Sequence, residues 1–107
     1  MLIGTDEGLF IWKLNNQLEP TSFEEINAFK MKTIECIVKS SSLKNDYWIG
    51  TSESGLHQLR FNKDNTHKSR HFDDDNDVSA TGIQHIEEDA NKNLWISTYS
   101  GLFKLVY

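Results

Sequence analysis

Several residue types and motifs are scarce in this sequence, and each shortage excludes a class of structure or function. The single cysteine, Cys36, cannot form an internal disulfide, and a small buried thiol is the simplest role for it. No segment approaches the roughly 18 consecutive apolar residues of a membrane-spanning helix. The N-terminus carries no basic region followed by an apolar core, as a signal peptide would. We therefore expect no membrane contact by this segment.

Basic residues are in the minority and are not clustered. The chain has 11 Lys and Arg against 16 Asp and Glu, a net charge of −5. A nucleic-acid-binding surface needs a stripe of positive charge, so we expect no nucleic-acid partner. A nucleophile-elbow phrase, a glycine-rich phosphate loop and a zinc-type spacing are also missing. The sequence thus offers no catalytic residue and implies no cofactor.

Two groups of residues could suggest a metal site, but neither has the required spacing. The acidic run Asp73–Asp77 lacks the glycine and glutamate of a calcium loop, because Val78 and Gln84 occupy those positions. His67 and His71 are four residues apart, a spacing that brings two metal ligands together on a helix. On a strand the same spacing separates them by about 13 Å. We expect a solvated turn and no metal.

The most informative feature that is present is a short phrase that occurs three times. The copies run from Leu2 to Phe10, from Trp48 to His57 and from Trp95 to Phe103. Their threonines, Thr5, Thr51 and Thr98, are 46 and 47 residues apart. A period of this length with strand-type residues is typical of propeller blades, which are small four-stranded antiparallel sheets.

Each copy reads as a strand, a tight turn and a returning strand. The turn glycines would adopt positive φ, which costs glycine little. One threonine per copy suggests a structural hydrogen bond, and tryptophans at matching positions suggest packing between blades, with Trp12 freer to be exposed. The predicted structural residues of the repeat are Thr5, Gly8, Trp48, Gly50, Thr51, Gly55, Trp95, Thr98 and Gly101.

Additional strands complete the blades. Apolar runs at 33–38 and 82–87 precede the second and third copies, and weaker strands are predicted near 23–26 and 67–72. We expect an all-β fold with a partial blade at 1–27, a complete blade at 32–73 and a partial blade at 81–107. A helical turn within 23–31 is an alternative, and loops are expected at 15–20, 62–66 and 73–81. With about two to two and a half blades, the chain predicts an incomplete propeller, and its start within a repeat suggests a piece of a longer protein.

The segment from Ile83 to Phe103 resembles the two-component regulator propeller repeat, with its Ile-rich strand, Glu-Asp pair, Leu-Trp-Ile-Gly-Thr strand and Gly-Leu-aromatic strand. The second copy resembles the whole repeat, and the first resembles its second half. The departures are Leu2 for tryptophan, Ser97 for glycine, and Lys39 and Ser40 for the Glu-Asp pair. The resemblance implies a non-catalytic, periplasmic or otherwise extracytoplasmic sensor segment of a two-component system, with a possible carbohydrate ligand and with further blades as partners.

Two other classes of function stay open at this point. Propeller enzymes of the streptogramin-lyase or lactonase type have similar repeats, with catalytic residues on the inner strands. The inner strands here offer Glu35, Lys39, His85, Glu87 and Glu88. A structural interaction module is the third possibility, because open strand edges pair readily with other chains. We therefore predict self-association through the strand edges.

Overall fold

The computed structural model describes residues 1–64, 66–72 and 82–106, and these form ten β-strands in three antiparallel sheets. The first sheet contains β1 (Leu2–Thr5), β2 (Gly8–Leu14) and β3 (Pro20–Glu25). The second contains β4 (Ile34–Lys39), β5 (Asp46–Thr51), β6 (Leu56–Phe61) and β7 (His67–Phe72). The third contains β8 (Ile83–Glu88), β9 (Leu94–Thr98) and β10 (Gly101–Leu105).

Strands follow one another across each sheet in chain order, as in a propeller blade. The four-stranded second sheet has the order β4-β5-β6-β7, with Trp48 opposite Gln58 and Gln58 opposite Arg70. The first sheet has no strand inside β1, and the third has none outside β10 among the described residues. The predicted all-β fold of blade-like antiparallel sheets is confirmed, and the three described sheets do not close into a propeller.

Local differences from the predicted elements are small. The outer strand of the first sheet begins at Pro20, which supplies no backbone donor and is suited to an edge strand. A single 3-10 turn, Asn27–Phe29, occupies the segment where a helical turn was the alternative, and it buries Phe29. The loop predicted at 73–81 lies outside the described residues.

The three sheets stack face to face, and apolar side chains alternate between their two faces. We call the face toward the following sheet the forward face and the opposite face the rear face. Successive side chains of a strand point to opposite faces, so Trp48 lies on the forward face of the second sheet and Ile49 on its rear face. Each face of the second sheet therefore contributes to a separate core.

Two cores hold the stack together. Between the first and second sheets the buried residues are Leu9, Ile11, Ile26, Phe29, Ile49 and Leu59. Between the second and third sheets they are Trp48, Leu56, Phe72, Ile83, Ile86, Leu94 and Ile96. No helix in the described part of the chain is long and apolar enough to cross a membrane.

Candidate functional site

The threonine of each repeated phrase holds the turn of its hairpin. Thr51 Oγ1 donates a hydrogen bond of 2.8 Å to the Gly55 carbonyl and accepts one of 2.9 Å from the Ser54 N–H. Thr98 does the same with Gly101 at 3.0 Å, and the first copy repeats the donation at 3.1 Å. In the second copy the hydroxyl thus satisfies a turn N–H and adds a second bond to the Gly55 carbonyl, which also accepts from the Thr51 N–H. The hydrogen bonds of the turn explain why a threonine stands at this position, without any role in catalysis.

Glycine at one position of the phrase allows two sheets to approach closely. A Cβ placed on Gly50 would lie 2.5 Å from Ile83 Cγ2, in the third sheet. The matching Gly4 would bring a Cβ to the same distance from Ile34 Cγ2, in the second sheet. Both distances are far shorter than ordinary van der Waals separations. The sheets can therefore approach this closely only because glycine has no side chain. Ser97 occupies this position on the forward face of the third sheet.

The tryptophans of the second and third copies have different environments. Trp48 is 1% exposed and packs in the core between the second and third sheets, with its ring 5.8 Å from that of Phe72. Trp95, predicted to pack between blades in the same way, is 38% exposed. Its indole N–H donates to Asp89 Oδ2 at 2.9 Å, and Lys104 Nζ lies 5.1 Å from its ring. The difference arises because no described strand covers the forward face of the third sheet.

The half-buried Glu88 joins the second and third sheets by polar contacts. It lies at the end of β8 and accepts hydrogen bonds from the hydroxyls of Ser40, Ser41 and Ser42 and from the Ser41 N–H. Partial burial raises the pKa of Glu88, but hydrogen bonds from Ser41, Ser40 and Trp48 outweigh it and hold the pKa below its usual value. Glu88 therefore stays ionised and serves as a link between blades.

A cationic cavity opens on the outer part of the forward face of the second sheet. Its volume is about 420 Å³, and its lining residues are Gln58, Arg60, Lys68, Ser69 and Arg70. Asp46, which is fully buried, accepts two bonds from Arg60 at 2.7 and 2.9 Å and one from Gln58 at 2.7 Å. A bidentate pair of this kind fixes the guanidinium in one orientation.

The histidines do not form a metal site in the described part of the chain. His71 stacks on His57 with ring centroids 4.5 Å apart, whereas His67 lies against the edge of Phe61. Burial, with smaller contributions from His71 and Lys32, lowers the pKa of His57 to about 4. No three His, Cys, Asp or Glu side chains come together within 1–64, 66–72 and 82–106. The acidic run at 73–77 lies outside these ranges.

The inner-strand residues considered for catalysis are mostly solvent-facing. Glu35, Lys39, His85 and Glu87 are exposed, and Glu88 is occupied by the serines. Burial raises the pKa of the nearby Cys36 thiol, so it stays protonated and is a poor nucleophile. The described inner strands thus present no nucleophile paired with a base.

The third repeat is similar in sequence to a known family. Residues 73–100 match the two component regulator propeller family. The matched segment includes β8, β9 and the start of the turn held by Thr98, and it confirms the resemblance inferred for this copy. Residues 73–100 are therefore similar to a two component regulator propeller repeat, and the sheet of β8, β9 and β10 is stacked on two further sheets of the same strand order. No curated protein and no solved structure matches the chain.

The composition of the chain does not predict the cationic cavity, but the alternation of residues along two strands does indicate it. Alternation along β6 and β7 places Gln58 and Arg60 on one face, directly opposite Arg70 and Lys68. No linear cluster of basic residues results, because the cations are distributed over two strands. Register between the strands, and not composition, brings them together.

Proposed function

We propose that this chain is a non-catalytic sensory and ligand-binding propeller segment of a two-component regulatory protein. The match of residues 73–100 to the two component regulator propeller family carries the proposal. Three sheets that stack through apolar faces support it, because they provide a rigid scaffold on which loops and outer surfaces can bind a ligand. In the parent protein the segment would lie in the periplasm or elsewhere outside the cytoplasm, beside further blades.

The residues of the repeated phrase, and Glu88 before its third copy, have structural roles, which favours binding over catalysis. Thr51 and Thr98 bond within their own turns, Gly50 permits close packing, and Glu88 is bound by serines. A catalytic site needs a nucleophile or an acid and base within hydrogen-bond reach of each other. The described inner strands present no such pair, so the enzyme alternative has no observation in its favour.

A panel of soluble neutral oligosaccharides would test this function. Each sugar is added to the chain, the midpoint of thermal unfolding is measured, and the same sample is analysed for cleavage products by mass spectrometry. We expect at least one sugar to raise the midpoint without being altered, since a ligand that binds the folded state stabilises it. Product formation would contradict the non-catalytic role, and a panel without any shift would contradict carbohydrate sensing.

Self-association is a second candidate property, and the open sheet edges favour it. Strands β1 and β10 each lack a fourth-strand neighbour in the described structure, and an uncovered edge is a template for pairing. Phe23 and Leu102, which are 62% and 66% exposed, add apolar area to the outer sheets. Sedimentation equilibrium is expected to show association that increases with concentration. A monomer at the highest concentration would contradict it.

A further inference from the structure

The geometry points to a binding site for a small ligand with two or more oxyanion groups, such as a di- or tricarboxylate, in the cationic cavity of the second sheet. The cavity volume of about 420 Å³ is within the range of small-molecule sites. This inference deepens the proposed ligand-binding role by naming the chemistry of one ligand site.

The charge of the cavity is the first observation. Among the described residues, Arg60, Lys68 and Arg70 line it and Asp46 is buried beneath them, so these four side chains sum to a charge of +2. Within 1–64, 66–72 and 82–106, Lys68 and Arg70 have no carboxylate at salt-bridge distance. This local excess of positive charge occurs in a chain whose net charge is −5.

The pairing of the cations across the strands is the second observation. Arg60 lies directly opposite Lys68, and like charges in that position destabilise a sheet. Asp46 fixes Arg60 through two hydrogen bonds, and Arg70 is held with its guanidinium 4.5 Å from the centroid of the Phe72 ring. The Arg70 guanidinium and the flexible Lys68 ammonium can each meet a separate oxyanion group, and Arg60 adds positive charge beside them.

The position of the cavity is the third observation. Along the same face the paired residues change from the apolar Leu56 and Phe72, which the third sheet covers, to the charged Arg60 and Lys68. The cations thus lie at the open end of a face whose inner end is buried. A ligand there would contact solvent on one side and a rigid sheet on the other.

Citrate and pyrophosphate are suitable probes, since one carries carboxylate and the other phosphoryl oxygens. Each is titrated into the whole chain at pH 7 and constant ionic strength, with amide chemical shifts and calorimetry as readouts. We expect saturable binding by at least one probe, with the largest shifts at 58–60 and 68–70. The double variant K68Q/R70Q should bind it at least tenfold more weakly. The control K30Q/K92Q, which removes two exposed cations elsewhere, should bind it unchanged.

The outcomes separate the site from non-specific charge attraction. Equal weakening in both double variants would overturn the proposal, as would shifts spread evenly over the surface or no saturable binding by either probe. The thermal unfolding midpoint of each variant shows whether it is folded. Failure of these probes would not affect binding of neutral oligosaccharides, so the two proposals can fail independently.

Discussion

The forward faces of the second and third sheets carry the same repeated phrase in two different environments. On the second sheet Trp48, Gly50 and Leu56 meet the next sheet and are buried. On the third sheet the matching Trp95, Ser97 and Leu102 are partly or largely exposed. The phrase itself therefore specifies strands and a turn. Whether its aromatic residue stabilises the fold depends on the sheet that covers it.

The largest expected difference in the free energy of unfolding is between variants of the two tryptophans. Trp48→Ala should lower the free energy of unfolding by about 4 kcal/mol, because it leaves a large cavity between two sheets. Trp95→Ala should lower it by less than about 1 kcal/mol, since the side chain is 38% exposed. Urea unfolding measures both. If Trp48→Ala does not fold, Trp48→Phe provides the comparison, and equal effects at the two positions would contradict the assigned environments.

The next largest difference in stability is expected between substitutions at Gly50, which permits close packing, and at the matching Ser97. Gly50→Ser places a Cβ 2.5 Å from Ile83 Cγ2 and 2.6 Å from Cys36 Sγ, so we expect a loss of about 3 kcal/mol from overpacking. The reverse change, Ser97→Gly, is the matched control on the uncovered face. It should cost about 0.5 kcal/mol through backbone entropy alone. A Gly50→Ser variant as stable as the parent would show that the second and third sheets do not approach closely.

His57 distinguishes the second repeat from the others in a pH-dependent way. Phe10 and Phe103 stand at the matching positions, whereas His57 is 3% exposed, its pKa is lowered to about 4 and its ring stacks on His71. A depressed folded-state pKa gives stability that is complete above the ordinary pKa of 6.5 and is lost as the pH falls toward 4.

We therefore expect the parent chain to lose about 2 kcal/mol of stability through His57 between pH 7 and pH 5. His57→Phe should remove this part of the pH dependence and leave the contributions of other groups in place. Urea unfolding of both chains at several pH values measures the difference. Parallel pH profiles for the two chains would contradict a buried neutral imidazole at this position.

The strands and their order could be predicted because alternation and turn residues are local properties of the chain. Residues 67–72 have few apolar side chains, yet they form a strand at the position that the sequence predicts. Contacts between repeats could not be predicted in the same way. The bonds from Ser40 and Ser41 to Glu88, like the exposure of Trp95, depend on how two sheets are placed against each other.

The cationic cavity could not be predicted from composition either, although it lies within a single sheet, because it depends on contacts between strands. Asp46 looks like an ordinary turn residue in sequence, yet it is fully buried and orients Arg60 from the neighbouring strand. Only the register of β5, β6 and β7 brings Arg60, Lys68 and Arg70 together. Charge composition gave no indication of the cavity, because the chain as a whole is acidic.

The central claim is that the repeats stack as successive blades through their glycine positions, and proton NMR tests it most directly. The Gly50 α-protons and the Ile83 γ2 methyl group should show a strong nuclear Overhauser effect, because a Cβ on Gly50 would lie only 2.5 Å from that methyl carbon. The Gly4 and Ile34 pair should show the same effect. Absence of both signals, in a sample whose β8–β9 cross-strand contacts are intact, would contradict the stacked arrangement.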